Sequence, residues 1–149
     1  MPEQFKLTYA TMHNPPEELH TKFDAAIKRL KANLGKEYGL IIDNRDVFVD
    51  EKFEDRSPVN TNWVLAVMQK GGVAEAQAAL AAARRAAPKW ARTPWKERVA
   101  LLRRVADIID ERLYDLGAAM CLEVGKNRME SLGDVAETAD LIRYACDQM

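Results

Sequence analysis

From Val73 to the final Met149, apolar residues recur in steps of three and four with few interruptions. That period lays them along one side of an α-helix, so this half of the chain has little choice but to be helical. Three stripes stand out. Val73, Ala76, Leu80, Ala83 and Ala87 form the first, its small side chains letting a neighbouring backbone come close, and Pro88 is expected to end it. Thr93-Pro94 is expected to cap the second, through Val99, Leu102, Val105, Ile109, Leu113 and Leu116, with Gly117 a joint before a shorter helix ending at Gly125. The third starts near Ser131, and its buried face is Leu132, Val135, Ala139, Ile142, Cys146 and Met149.

The first half is mixed. Residues 1–13 lack periodicity and read as an N-terminal arm, and residues 14–149 as one helical and β-hairpin segment. Asn14 before Pro15-Pro16 is a helix start, and Leu19, Phe23, Ile27, Leu30 and Leu34 supply an amphipathic stripe that Gly35 closes in the left-handed conformation. A short apolar run from Tyr38 to Asp43 and another at Val47-Phe-Val49 flank the polar Asp43-Asn44-Arg45-Asp46, which predicts a β-hairpin. A loop is expected next, with Ser57-Pro58 and Asn60-Thr-Asn62 as breakers, and then a further strand, Trp63 to Met68, buried on both faces. The expected fold is mainly α-helical, with one hairpin and one more short strand.

Charge and composition narrow the function classes. The chain's 22 basic and 23 acidic side chains nearly cancel, which argues against a nucleic-acid partner. Its longest apolar stretch, Leu116 to Leu122, falls far short of the ~20 residues that span a membrane. Met1-Pro-Glu-Gln-Phe is no secretory leader, and two cysteines make no disulfide framework, so a cytoplasmic setting is expected.

Little chemistry can be read from the residues alone. His13 and His20 are seven apart, no standard metal-ligand spacing. Cys121 and Cys146 sit in apolar surroundings and read as small buried hydrophobes, not as activated thiols. No G-x-G-x-x-G or G-x-x-x-x-G-K-[ST] is present to cradle phosphate. Lys126, just after Gly125, reads first as a partner of a helix C-terminus and only second as an activated amine. Glu130, Asp134 and Glu137 fall on one face of the last helix, which a solvated polar surface explains; a binding role would have Glu137 meet a cationic group.

A resemblance adds what periodicity does not. Trp90-Ala-Arg-Thr-Pro-Trp-Lys-Glu-Arg98, the helix through Leu101-Leu-Arg-Arg-Val-Ala106, Leu122-Glu-Val-Gly-Lys126 and the helix from Asp134-Val-Ala-Glu137 to Tyr144 follow in the order found near the start of the aldehyde dehydrogenase superfamily. The Tyr38 to Ile42 strand behind a basic amphipathic helix and the Asp134 to Asp140 pattern are most similar to the 1-pyrroline-5-carboxylate dehydrogenases. The turn departs, with Asp43-Asn44-Arg45 where that group often has Asn-Gly-Glu.

This resemblance implies the opening portion of an α/β aldehyde dehydrogenase-like fold, in an enzyme oxidising glutamate γ-semialdehyde to glutamate with NAD. A thiolate would attack the aldehyde, hydride would pass to the nicotinamide, and water would release the acid. The nucleophile in its Gly-Gln-x-Cys setting, the general-base glutamate and the dinucleotide turn do not occur in these residues, so the 149 residues alone are expected to be inactive and to need the remainder of the enzyme, itself a homo-oligomer. Glu137 alone inherits a role, contact with the substrate's α-amino group. With no stop signal after the last stripe, the chain is expected to continue past Met149. A dehydrogenase for another amino-acid semialdehyde and a free-standing helical interaction module are the competing expectations.

Overall fold

The computed structural model describes residue 11 and residues 13–149. The expected arm therefore lies, but for two positions, outside the described residues. Five helices and five short strands follow: α1 (Glu17–Lys31), β1 (Lys36–Tyr38), β2 (Leu40–Ile42), β3 (Arg45–Val47), β4 (Lys52–Arg56), β5 (Val64–Gln69), α2 (Val73–Arg92), α3 (Trp95–Glu111), α4 (Leu113–Val124) and α5 (Arg128–Asp147). The mainly helical character is as the periodicity predicts.

The start of α1 differs from expectation. Its N-cap is Pro16 in extended conformation, with no side-chain cap, and Glu17 and Glu18 fill the first turn. Asn14 and Pro15 each precede a proline, which pushes the backbone away from the helical region, so neither can lead into the helix. The helix ends at Lys31, and Gly35, at φ 74°, lies beyond a short turn, where its N–H reaches the Val64 carbonyl at 2.8 Å. Its left-handed geometry thus starts a sheet.

The single strand expected from Tyr38 is two strands in two sheets. Gly39 is the pivot: a Cβ there would sit 2.9 Å from Asp46 Cβ, a closeness only glycine permits. β2 pairs antiparallel with β3 across Asp43 and Asn44, whose φ of 54° and 58° make a two-residue turn. Arg45 and Asp46, expected in the turn, are therefore strand residues, while Phe48 and Val49 fall beyond β3.

β5 runs between parallel β1 and antiparallel β4. The β4 segment, expected as a loop, is the almost wholly exposed strand Lys-Phe-Glu-Asp-Arg; with Phe53 as its one apolar residue, this edge strand carries no apolar alternation to betray it. β5 is less enclosed than expected, since Ala66 and Gln69 are buried but Met68 is exposed. Buried Gln69 ties this corner together, accepting from Val49 N–H at 2.8 Å and donating to Glu37 at 2.9 Å and to the Tyr38 carbonyl at 3.2 Å.

Pro88 does not end α2, which continues to Arg92. The alanines before it hold the helix, and the Arg84 carbonyl that loses its partner lies on an exposed helix where water can serve it. The α2 stripe is not buried: the helix's buried residue, Ala82, lies off the stripe, while Val73 and Leu80 are 74% and 52% exposed. Thr93 closes α2, bonding back to the Lys89 carbonyl, and Pro94 caps α3. The break after α3 falls at Arg112, not at Gly117, which is buried inside α4.

The helical core joins α1, α4 and α5 through Leu19, Phe23, Ala26, Ala118 and Leu132. Gly117 serves this contact, because a Cβ there would lie 2.8 Å from Leu132 Cδ2. On its other side α5 packs on α3, with Ala106 and Ala139 fully buried and Arg143 clamping Asp107 at 2.9 Å and Asp110 at 2.6 Å. The β4–β5 loop is locked to the end of α4 by buried Ser57, which donates to the Leu122 carbonyl. No helix among the described residues is long and apolar enough to cross a membrane.

Leu101, Leu102, Val105 and Ile108 leave a second apolar strip open, on α3. Expressed alone, the 149-residue polypeptide is expected to associate or to show a broad, molten transition, since contiguous apolar surface seeks cover. Sedimentation and thermal melting read this; a monomer with a sharp two-state transition would contradict it.

Candidate functional site on the last helix

The site is built on the joint between α4 and α5. Gly125, at φ 78°, ends α4 as expected, its N–H returning to the Cys121 carbonyl at 3.1 Å. Asn127, not Ser131, starts α5: its side chain accepts from Glu130 N–H at 3.0 Å. The chain reverses in these few residues, and Lys126 is held between two fixed points.

That placement brings Lys126 onto Asp134, two turns into α5, with its ammonium donating to the carboxylate. The expected role at the end of α4 gives way to this pair. The bond raises the Lys126 pKa above its ordinary value; burial opposes the rise, and the charges of Asp134 and Glu130 add to it. Arg128, next in the chain, reaches α1, where it meets Asp24, donates to His20 Nδ1 at 2.7 Å and stacks over Phe23 at 4.7 Å. These links hold the first turn of α5 to α1.

Glu130, Asp134 and Glu137 share a face, as their spacing predicts, but they are not equivalent. Asp134 is half-buried and paired, whereas Glu130 and Glu137 are exposed. Among the described residues no hydrogen bond or ion pair engages the Glu137 carboxylate. Farther along the same face stand Leu141 and Tyr144, 58% and 64% exposed. A free carboxylate followed by open apolar surface suits an ammonium group on a short carbon chain.

The other candidates are not gathered here. Cys146 lies about half a turn round the helix from Glu137 at ~100° per residue, buried, with its thiol towards the Val99 carbonyl at 3.9 Å. Cys121 packs against the core under α1. The expected stripe holds at Leu132, Val135, Ala139 and Cys146, but Met149 is exposed past the end of α5.

The β5–α2 turn is the one strand-to-helix turn described, and at its helix start Glu75 already takes the Gly72 N–H at 2.8 Å. A phosphate there would meet a carboxylate instead of free donors.

The Lys126–Asp134 pair went unforeseen, although a basic residue just ahead of a capping Asn and an acid two turns later is a readable signal. The Arg128 links to His20 and Asp24 join residues over a hundred apart and leave no trace in local spacing.

Raised pKa fixes the sign of the pH response. The Lys126–Asp134 pair contributes fully below the ordinary lysine value and is lost as pH climbs through the higher folded value. Asp134→Asn should return the Lys126 titration to that of an ordinary lysine, read by NMR of 13C-methylated lysines; an unchanged titration would contradict the pairing.

Comparison with known proteins places this geometry. Residues 48–149 match the model of the aldehyde dehydrogenase family. The 1-pyrroline-5-carboxylate dehydrogenase of Staphylococcus saprophyticus is 34% identical over 127 residues, covering 85% of this chain and 25% of that enzyme. The one from Geobacillus sp. is 35% identical over the same length, with the same coverage. Among solved structures, the R100A mutant of Thermus thermophilus 1-pyrroline-5-carboxylate dehydrogenase superposes with a TM-score of 0.88 at 32% identity, over 99% of this chain and 28% of that one. A Thermus 1-pyrroline-5-carboxylate dehydrogenase with bound NAD matches equally, at a TM-score of 0.88. The chain thus spans about a quarter of the length of the relatives it matches.

Proposed function

The chain belongs to the aldehyde dehydrogenase family, and from that premise we propose that its residues form the N-terminal part of an NAD-dependent 1-pyrroline-5-carboxylate dehydrogenase, which oxidises glutamate γ-semialdehyde to glutamate in proline catabolism. In this reading residues 1–13 are an arm, and residues 14–149 are scaffold that carries one wall of the substrate pocket. The protein works in the cytoplasm as a homo-oligomer, and the remainder of the enzyme covers the open strips of α2 and α3.

The observation that carries the substrate assignment is Glu137. It stands exposed and unpaired among the described residues, on a helix whose rotation is set from three sides: by Leu132 against Gly117, by Arg143 on Asp107 and Asp110, and by Arg128 on α1. A carboxylate so placed forms a charge-assisted hydrogen bond with the α-ammonium of the semialdehyde, and orients the aldehyde end away from α5. Names of the relatives support the same substrate class. These residues hold neither the nucleophile nor the cofactor. When NAD is bound elsewhere in the enzyme it supplies the hydride acceptor, and this segment contributes binding and orientation.

Glu137→Gln in the intact enzyme should raise KM for glutamate γ-semialdehyde by roughly 10- to 100-fold, the loss of one hydrogen bond to a charged group. Steady-state kinetics with an aldehyde of similar length but no amine should show little change. An equal loss with both aldehydes would make Glu137 structural and overturn the substrate assignment.

A further inference from the structure

The face that carries Glu137 has a second carboxylate one turn earlier, and a substrate ammonium should be drawn to both. Asp134 and Glu137 are three residues apart, so their side chains start about 5–6 Å from each other. Two free carboxylates at that spacing would offer the cation two seats, and the aldehyde at the far end of a short, flexible substrate would then have two positions. The structure removes one seat. Lys126 closes on Asp134, and its place is not left to a flexible tail: the left-handed turn at Gly125 and the Asn127 cap bracket it on both sides. The pair is partly shielded, with side-chain exposures of 38% and 40%. Glu130 is a full seven residues from Glu137, about 10 Å along the axis, too far to share one ammonium with it.

We propose that Lys126 is a positioning residue which, by occupying Asp134, keeps that carboxylate from competing with Glu137 for the substrate's ammonium. The two charges of the pair act in opposite directions on the substrate. Asp134 keeps the Lys126 cation from turning to Glu137 and competing with the ammonium; Lys126 keeps Asp134 from attracting that ammonium into the wrong register. The pair is neutral, so removing both halves together leaves Glu137 in nearly its original field, whereas removing either half alone does not. This inference rests on the reading of Glu137 as the ammonium's partner.

The test uses the intact dehydrogenase with Lys126→Gln, Asp134→Asn, the double variant and Lys126→Arg, each assayed with glutamate γ-semialdehyde and with the amine-free aldehyde. Asp134→Asn should raise KM for the amine-bearing substrate about tenfold, as the freed lysine competes for Glu137. Lys126→Gln should leave that KM unchanged or lower but cut kcat several-fold, as the aldehyde divides between two registers. The double variant should recover both constants to within about twofold, Lys126→Arg should stay near the parent, and the amine-free aldehyde should be turned over normally throughout. Single variants that slow both aldehydes alike, or a double variant no better than the worse single, would overturn the proposal. Glu137→Gln separates the two failures: if it still discriminates by the amine, only the role of Lys126 falls, and if it does not, the reading of Glu137 falls first.

Discussion

The three-residue reversal at Gly125, Lys126 and Asn127 is the constraint on which the rest of the site depends. A left-handed glycine followed almost at once by a side-chain cap leaves α5 no freedom in where it begins. It turns α5 back along α4, so that Leu132 meets Gly117 and the buried side of α5 is chosen. Once that side is chosen, the opposite side must carry Glu130, Asp134 and Glu137 outward, because they share a helical face. The same reversal delivers Lys126 to Asp134. One short joint therefore settles core packing, the orientation of the acidic face and its charge state.

Small residues make this packing close. Ala26, Ala106, Ala118 and Ala139 are fully buried, and Gly117 has no room for a Cβ. Helices that meet on such residues approach tightly, and a substitution is felt at once because neighbouring side chains cannot move aside. α5 is held between α3 and α4 in this way, with arginines closing the edges: Arg143 reaches α3, Arg103 reaches from α3 to Asp147 on α5, and Arg128 reaches α1. The exposed members of these ion pairs add little stability each. Their larger effect is on register, since each allows one rotation of α5 and opposes others.

Helices α2 and α3 tell the complementary story. Their stripes have the period of a buried face, yet Leu80 and Leu102 remain 52% and 43% exposed. Periodicity reports that a face is meant for burial, not which element covers it. The described residues leave those faces open, and the chain spans about a quarter of its relatives' length. The helical hallmarks were legible for the same reason they are open: they are local.

What the sequence by itself determined was local: helices where apolar residues step by three and four, the left-handed end at Gly125, a turn within Asp43-Asn44-Arg45-Asp46, and a common face for Glu130, Asp134 and Glu137. The family pattern was also legible, because it is a matter of order and spacing. Boundaries were less so. Pro88 and Gly117 carry strong local signals against a helix, yet one sits on an exposed helix that tolerates it and the other in a contact that requires it. β4 had no signal, since its strand state comes from hydrogen bonds to β5 and not from its own side chains. Only the tertiary structure decided which of three similar carboxylates is paired. Spacing places charges on a face, but neutralising one of them takes a cation brought from another part of the chain, and a fold alone specifies that meeting.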